Sequence, residues 1–354
     1  MVKLALNGFG RTARTAFRAY LLSHTQTAQV VAINTSGSMD TPGWAHLLKY
    51  DTAQGIFSQE VTFKDVQPAS EASSADPLIG YLTISGHDYP LLAQPDPAQL
   101  PWKEYEVDVV IEATGAFRTP EAAAQHLQVG AKKVLLSTPP KGDSPQVETH
   151  ILGVSDSSGS VDIISNASCT TNCVAPITAI IQAHFGILKA MMTTIHAYTD
   201  DQRLQDNSHK DLRRARAAAL NIIPTTTGAT TSTAQIIPEI DGKFAGLALR
   251  VPVVAGSLSD FVFLTKDNTT IEAVNQAFVA AARESRWQGI LAVTDEPLVS
   301  SDIIGRPESA IIDLNFTNVV DGNLVKVLAW YDNEWGYSNR LIEQAIAIGK
   351  TVSP

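Results

Sequence analysis

Cysteine is nearly absent from this chain: its 354 residues include two, Cys169 and Cys173. That scarcity excludes a secreted fold stapled by disulfides. Cationic residues are also in short supply, with 26 Lys and Arg against 36 Asp and Glu and a net charge of −10. A duplex-binding surface needs concentrated positive charge to displace counterions from phosphate, so no nucleic-acid partner is expected. Long apolar runs are missing as well. The longest reach only a handful of residues. A bilayer span needs about 20, so no membrane is expected as a partner. The opening Met-Val-Lys-Leu-Ala-Leu enters a glycine turn directly, without a cleavable apolar leader. These absences predict a globular cytoplasmic protein. Hydrophobic residues at 44% supply a large core, and at roughly 150 residues per domain the length predicts two domains.

What is present organises itself by period. A short apolar segment, 2–6, is broken by Asn7-Gly8-Phe9-Gly10. Ala13, Ala16, Phe17, Tyr20 and Leu21 then recur at helical spacing, and Val30-Val31-Ala32-Ile33 follows as a second strand. Strand, glycine turn, helix and strand in this order form the βαβ unit of a parallel sheet. Further buried strands are predicted at 107–112 and 133–137, with a helix at 119–128 between them. The polar stretch 64–77 reads as a surface loop. From about 187 the segments lengthen, with strands expected at 190–196, 244–252, 258–265, 311–317 and 323–331. Helices are expected near 271–283 and at 337–350.

Four constellations carry chemistry. Gly8-Phe9-Gly10-Arg11-Thr12-Ala13 is a G-x-G-x-x-A turn, in which the first glycine permits a tight turn and the second lets backbone N–H groups approach a pyrophosphate. An ordinary glycine turn is the plainer alternative. Ser165 to Cys173 follows an apolar strand at 161–164 and precedes a helical segment, so Cys169 meets the positive end of a helix dipole, which favours thiolate over thiol. Cys173 reads as buried packing. Cys-x3-Cys is a poor disulfide and supplies too few ligands for zinc, so no metal site is predicted. His196 stands at a strand end in Thr-Ile-His-Ala-Tyr-Thr, while the other seven histidines lie in stretches that look like helix surface or loop. Last, Arg203, His209, Lys210, Arg213, Arg214 and Arg216 form the densest positive stretch, followed by the hydroxyl-rich turn Pro224-Thr225-Thr226-Thr227-Gly228 and by Arg250. Hydroxyls, amides and guanidinium groups suit a small phosphate ester.

Five segments together make the chain resemble phosphorylating glyceraldehyde-3-phosphate dehydrogenase from end to end. They are Asn7 to Arg11, Ser165 to Cys173, His196 to Thr199, Asp211 to Ala218, and Trp330 to Ser338. Pattern and resemblance together imply an α/β protein: an N-terminal Rossmann doubly wound parallel sheet plus an α+β catalytic domain with a large mixed sheet. The implied dinucleotide-binding domain spans 1–168 and 334–354, the final helix returning to it, and the catalytic domain spans 169–333. The resemblance implies a Cys169 thiohemiacetal with glyceraldehyde 3-phosphate, His196 as base, and a thioester attacked by inorganic phosphate to give 1,3-bisphosphoglycerate. It assigns Thr199 and Arg250 to the substrate's phosphate, and Ser168, Thr170, Thr227 and Gly228 to the attacking one. For the cofactor it assigns Gly8, Gly10, Arg11, Thr12, Thr35, Ser36, Ser137, Ser208 and Asn333. It also implies a homotetramer, because the loop around 200–216 reaches a neighbour's cofactor site.

Two departures bear on cofactor choice. NAD-specific members carry Asp after the second strand, where its carboxylate accepts the ribose hydroxyls. Here that position is Thr35, followed by Ser36, so a 2′-phosphate is expected to meet hydroxyls instead of a repelling charge. In the loop where such members carry Leu-Pro, this chain has Asn207-Ser208, like the NADP-using photosynthetic branch. The Arg that this branch uses for the 2′-phosphate is Pro95 here. The resemblance therefore implies NADP, with NAD also used. Asp200, after Thr199, places negative charge beside the expected phosphate site. Two alternatives stand beside this reading: an erythrose-4-phosphate dehydrogenase, whose pattern usually lacks the equivalents of Thr199 and of Thr227-Gly228, and a non-catalytic dinucleotide-binding scaffold, which has no need of Cys169 and His196.

Overall fold

The computed structural model describes residues 1–142, 144–155 and 159–352, and these form two compact units. The first unit comprises 1–142, 144–150, 159–167 and 338–352, and the second 151–155 and 168–337.

In the first unit, β1 (Val2–Asn7), α1 (Arg11–Ser23) and β2 (Ala28–Thr35) are followed by α2 (Thr41–Lys49) and a small hairpin of β3 (Tyr50–Asp51) and β4 (Gly55–Ile56). Then come β5 (Val61–Asp65), β6 (Leu78–Ile84), β7 (His87–Ala93), β8 (Val109–Glu112), α3 (Pro120–Gln128), β9 (Lys133–Leu136), β10 (Val147–Thr149) and β11 (Ile163–Ser165). Excluding the hairpin, the strands make one nine-stranded sheet in the order β10-β11-β9-β8-β1-β2-β7-β6-β5, parallel from β10 to β7 and antiparallel at β6 and β5. β8 and β9 are buried at every position, which is why Val109-Val110-Ile111 and Val134-Leu135-Leu136 are apolar without alternation: helices cover both faces of a parallel sheet. The predicted loop at 64–77 begins two residues later, because Lys64 and Asp65 close β5 against Tyr81 and Gly80.

α1 lays Ala13, Ala16, Phe17, Tyr20 and Leu21 into the core, where Phe17 meets Phe9 edge-on at 5.9 Å. α3 has Pro120 in its first turn, and the Thr119 hydroxyl accepts from Ala122 N, the expected start of a helix. Outward from β1, β2 lies on one side and β8 on the other. That reversal is the switch point outside which such sheets bind ligands, at the carboxyl ends of their strands.

The second unit begins with α4 (Cys169–Phe185), β12 (Ile187–Ala197), β13 (Ile223–Thr226), α5 (Ala229–Ile236), β14 (Phe244–Val251) and β15 (Ser257–Thr265). α6 (Ile271–Ala281), β16 (Leu291–Thr294), β17 (Ala310–Val320) and β18 (Leu324–Tyr331) complete its sheet, in the order β13-β14-β12-β15-β18-β17-β16. β15 alternates buried and half-buried residues, the signature of a strand with only one face in the core. Phe261 and Phe263 on it are fully buried, each burial stabilising by about 1.5–3 kcal/mol. The last helix, α7 (Trp335–Gly349), belongs from Ser338 onward to the first unit and packs Leu341, Ile342 and Ala345 into its core. No described helix is long and apolar enough to cross a membrane.

Candidate active site

Cys169 is the first residue of α4. Ser168 caps that helix, its Oγ accepting from Thr171 N at 3.1 Å, a bond worth about 1 kcal/mol. Ahead of it, Ala167 holds φ +52°, a left-handed conformation that few residues with a Cβ adopt. Such outliers persist where the surroundings demand them. Cys173, one turn further, is fully buried, as the sequence predicts.

β12 carries His196 near its end, and its parallel neighbour β14 sets Arg250 in register with it. The cysteine Sγ lies 3.4 Å from His196 Nε2. On the other side of the ring, Nδ1–H donates to Ala197 O at 2.6 Å. That bond selects the tautomer whose Nε2 lone pair faces sulfur, the orientation a base requires. Arg250 Nη1 lies 3.0 Å from the same Nδ1 and donates to Ala197 O at 3.2 Å and to Thr199 Oγ1 at 2.9 Å. Both donors thus share one carbonyl.

Electrostatics depart from the sequence-based expectation of a resting thiolate. Burial pushes the Cys169 thiol above its ordinary value, although the Arg250 charge and the Thr170 hydroxyl oppose it. Burial also drives His196 down to about 3, with Arg250 reinforcing the shift. The resting pair is therefore neutral, thiol beside imidazole, because desolvation penalises both charges. Arg250 favours a thiolate while opposing an imidazolium.

Around Arg250 the sequence-predicted anion groups divide. Thr199 donates to Asp201, and Asp201 accepts from Arg214 Nη1 at 2.5 Å. Arg214 Nε also donates to Thr225 Oγ1 at 2.9 Å. Burial raises the Asp201 carboxyl, but Thr199, Arg250 and Arg214 together outweigh it and hold it below the usual carboxylate range. The acid bonded to Thr199 and Arg214 is thus Asp201, next to the Asp200 singled out in the sequence; both are exposed. Arg214 belongs to the basic stretch singled out in the sequence, whereas Asp201 carries no sequence signal that separates it from Asp200. Thr227 Oγ1 accepts from Ala229 N at 3.2 Å beside Gly228, which precedes α5. Ser168 Oγ serves its helix cap, and Thr170 Oγ1 lies 3.1 Å from the hydroxyl of buried Tyr331, so neither hydroxyl is simply exposed to a ligand. Tyr331 OH also meets Thr194 Oγ1 at 2.8 Å, a contact with no sequence signal because the three residues come from distant segments.

The first unit gathers the predicted cofactor residues at the carboxyl edge of its sheet. Gly8 has φ +94°, and a Cβ there would lie 2.9 Å from Thr114 N, so the turn requires glycine. At Gly10 a Cβ would meet nothing, and α1 starts behind it with no side-chain cap and no acidic residue in its first turn. A helix start without a side-chain cap, beside open space, fits a pyrophosphate. Arg11 is turned to Asp51, whose two carboxylate oxygens accept from its guanidinium at 2.9 and 3.0 Å. Thr12 is half-buried next to it in α1, and Ser137 is buried just beyond β9, its N–H donating to Glu112 O at 3.0 Å.

Thr35 corrects an expectation. Its hydroxyl donates inward to Leu92 O at 3.0 Å and accepts from Gly37 N at 3.3 Å, so it does not face a ligand. The exposed hydroxyls are those of Ser36 and Ser38, 2.9 Å apart. In the second unit Asn333 is buried, and Ser257 Oγ donates to its Oδ1 at 2.8 Å, leaving the amide NH2 as the group on offer. Ser208 is exposed in the 199–222 loop, and its carbonyl accepts from Arg203 Nε at 2.9 Å.

His126 is a second correction. The sequence placed it on a helix surface, yet it is fully buried and bonded to Trp102 and Glu112.

Comparison with known proteins agrees with this chemistry. The family model described as glyceraldehyde 3-phosphate dehydrogenase, NAD binding domain, matches residues 2–120, and the one described as its C-terminal domain matches 168–333. Glyceraldehyde-3-phosphate dehydrogenase 2 of Streptomyces avermitilis is 47% identical over 351 residues, 98% of each chain. Its namesake from Bacillus subtilis is 48% identical over 345 residues, 97% of this chain and 95% of that one. A chloroplastic glyceraldehyde-3-phosphate dehydrogenase of Arabidopsis thaliana is 45% identical, covering 97% of this chain and 83% of its own. With Cys169 and His196 paired inside the matched C-terminal region, and relatives aligned over nearly its whole length, the chain belongs to the glyceraldehyde-3-phosphate dehydrogenase family.

Proposed function

We propose that this protein oxidises glyceraldehyde 3-phosphate, with inorganic phosphate, to 1,3-bisphosphoglycerate while reducing a nicotinamide dinucleotide. The observation that carries this reading is the 3.4 Å approach of Cys169 Sγ to His196 Nε2 beside Arg250. His196 Nε2 takes the thiol proton as sulfur adds to the aldehyde carbon, so the neutral resting pair ionises only when the new C–S bond forms. Backbone N–H groups at the start of α4, that of Cys169 included, steady the oxyanion. His196 returns that proton to the alkoxide, which makes the thiohemiacetal hydroxyl, and takes it back as the carbon is oxidised. When bound, the nicotinamide ring supplies the hydride acceptor for that oxidation. Inorganic phosphate next attacks the thioester carbonyl, the acyl phosphate leaves, and the electrons of the broken C–S bond return to sulfur.

Thr199 and Arg250 hold the substrate's phosphate in this scheme, and Ser168, Thr170, Thr227 and Gly228 the attacking one. The hydroxyls of Ser168 and Thr170 exchange their present partners to do so. In the first unit the Gly8–Gly10 turn and the N–H groups of Arg11 and Thr12 receive the pyrophosphate, with Ser137 at the same sheet edge. The guanidinium of Arg11 stays with Asp51. Asn333 offers its NH2 to the nicotinamide carboxamide. NADP is accepted, with NAD also used, because Thr35 stands where NAD-specific members carry a carboxylate that would repel a 2′-phosphate, and Ser36 and Ser208 offer hydroxyls to that phosphate. The assembly is a cytoplasmic homotetramer.

The test is nicotinamide reduction with each cofactor, with and without inorganic phosphate. Phosphate-dependent turnover supports the scheme, and turnover with NAD alone keeps the enzyme but removes the cofactor assignment. Absence of turnover with both, together with slow, unselective alkylation of Cys169, moves the protein to a binding role.

A further inference from the structure

The carboxyl edge of the first sheet hides a polar chain that the proposed chemistry does not use. Asn7 and Glu112 end β1 and β8, Asn34 is the last residue but one of β2, and the three are register partners and buried. Hydrogen-bond direction can be traced through it from both ends. Trp102 Nε1–H only donates, and it donates to His126 Nδ1 at 2.9 Å. His126 therefore carries its proton on Nε2 and donates to Glu112 Oε2 at 3.1 Å. From the other end, Gln94 N–H donates to Asn34 Oδ1 at 2.9 Å, so Asn34 Nδ2 donates to Asn7 Oδ1 at 2.7 Å. Asn7 must then give its own NH2 to Glu112 Oε2, at 2.5 Å. The other oxygen, Oε1, accepts from Thr114 N at 2.8 Å and from the Thr114 hydroxyl. Every path ends on one carboxylate that acts only as acceptor.

The carboxylate stands where two turns meet. Asn7 directly precedes Gly8, and Thr114 N is the atom that a Cβ on Gly8 would strike at 2.9 Å. Glu112 thus grips the turn after β1 with one oxygen and the turn after β8 with the other. We propose that Glu112 is a positioning residue for dinucleotide binding, holding the Gly8 turn and Thr114 in register so that the first N–H groups of α1 face the pyrophosphate. This rests on the dinucleotide reading given above. A glutamine cannot substitute: whichever way its amide is turned, an NH2 meets donors at His126 and Asn7 or at Thr114, and neither side can reverse its direction.

The test measures ADP-ribose affinity by calorimetry on the full chain, with melting temperature recorded for each variant. Glu112→Gln and Asn7→Ala are compared with Lys133→Met. Lys133 is buried at the start of β9 and donates to Val161 O at 2.7 Å, so its loss lowers stability away from the turns. Glu112→Gln and Asn7→Ala are expected to weaken ADP-ribose by about tenfold or more, the scale of one lost charge-assisted hydrogen bond, while Lys133→Met stays within about twofold. If Glu112→Gln does not fold, Asn7→Ala decides by the same thresholds. Folded variants that bind within about twofold of the parent overturn the proposal, as does an equal loss in Lys133→Met. A parent that does not bind ADP-ribose overturns the dinucleotide reading itself, an outcome distinct from unaffected variants.

Discussion

His196 and Arg250 are partners across adjacent parallel strands, and Arg250 Nη1 lies 3.0 Å from His196 Nδ1. A cation so close acts oppositely on the two halves of the pair: it stabilises a thiolate at Cys169 and destabilises an imidazolium at His196. Arg250→Met is therefore expected to raise the pKa of both groups. Rates of iodoacetamide alkylation across pH should show the thiol midpoint moved upward, and the KM for glyceraldehyde 3-phosphate should rise. An unmoved midpoint contradicts this coupling.

Removing the base has a separate signature. His196→Asn is expected to lower kcat by about 10²–10⁴-fold, the usual contribution of a positioned proton acceptor. Stopped-flow measurement of the first turnover checks that the loss lies in the hydride-transfer step and not in product release.

His196 also predicts a stability profile. Its folded pKa, about 3, lies below the ordinary 6.5. The unfolded chain therefore binds the proton more readily, and stability rises with pH across that interval. His196's contribution is complete above about pH 6.5 and erodes as pH falls toward 3. Denaturant melts of the parent and His196→Gln should differ most in their slope between these values, the variant being flatter.

Cofactor choice is testable at one position. Ser36→Asp puts a carboxylate among the exposed hydroxyls of Ser36 and Ser38, and kcat/KM for NADP should fall by about tenfold or more, the price of placing a like charge beside a phosphate, while that for NAD falls less.

Ser257 links the two ends of the second unit's chemistry: it accepts from Ala197 N at 3.1 Å, next to His196, and donates to Asn333 at 2.8 Å. Ser257→Ala leaves both groups without their partner. Stability should drop by about 1–3 kcal/mol for the orphaned amide. KM for the nicotinamide dinucleotide should rise more than KM for the aldehyde, which steady-state kinetics with each substrate varied in turn will show.

Much of this protein is decided by local sequence. The strand–glycine turn–helix of residues 2–23, the buried runs of β8 and β9, and the helix that opens at Cys169 follow from period, capping and the conformational freedom of glycine, all of which act over a few residues. The motif around Cys169 likewise announces its nucleophile. What local pattern cannot carry is register and direction. Only the pairing of β12 with β14 brings Arg250 to His196, and only the folded loop turns Asp201, and not Asp200, to Arg214. From sequence alone Thr35 reads as a ligand hydroxyl and His126 as a surface residue, because side-chain orientation depends on neighbours far away in the chain. Packing supplied Leu92 O to one and Trp102 with Glu112 to the other. Buried polar groups must find partners, and where those partners lie is settled by tertiary structure alone.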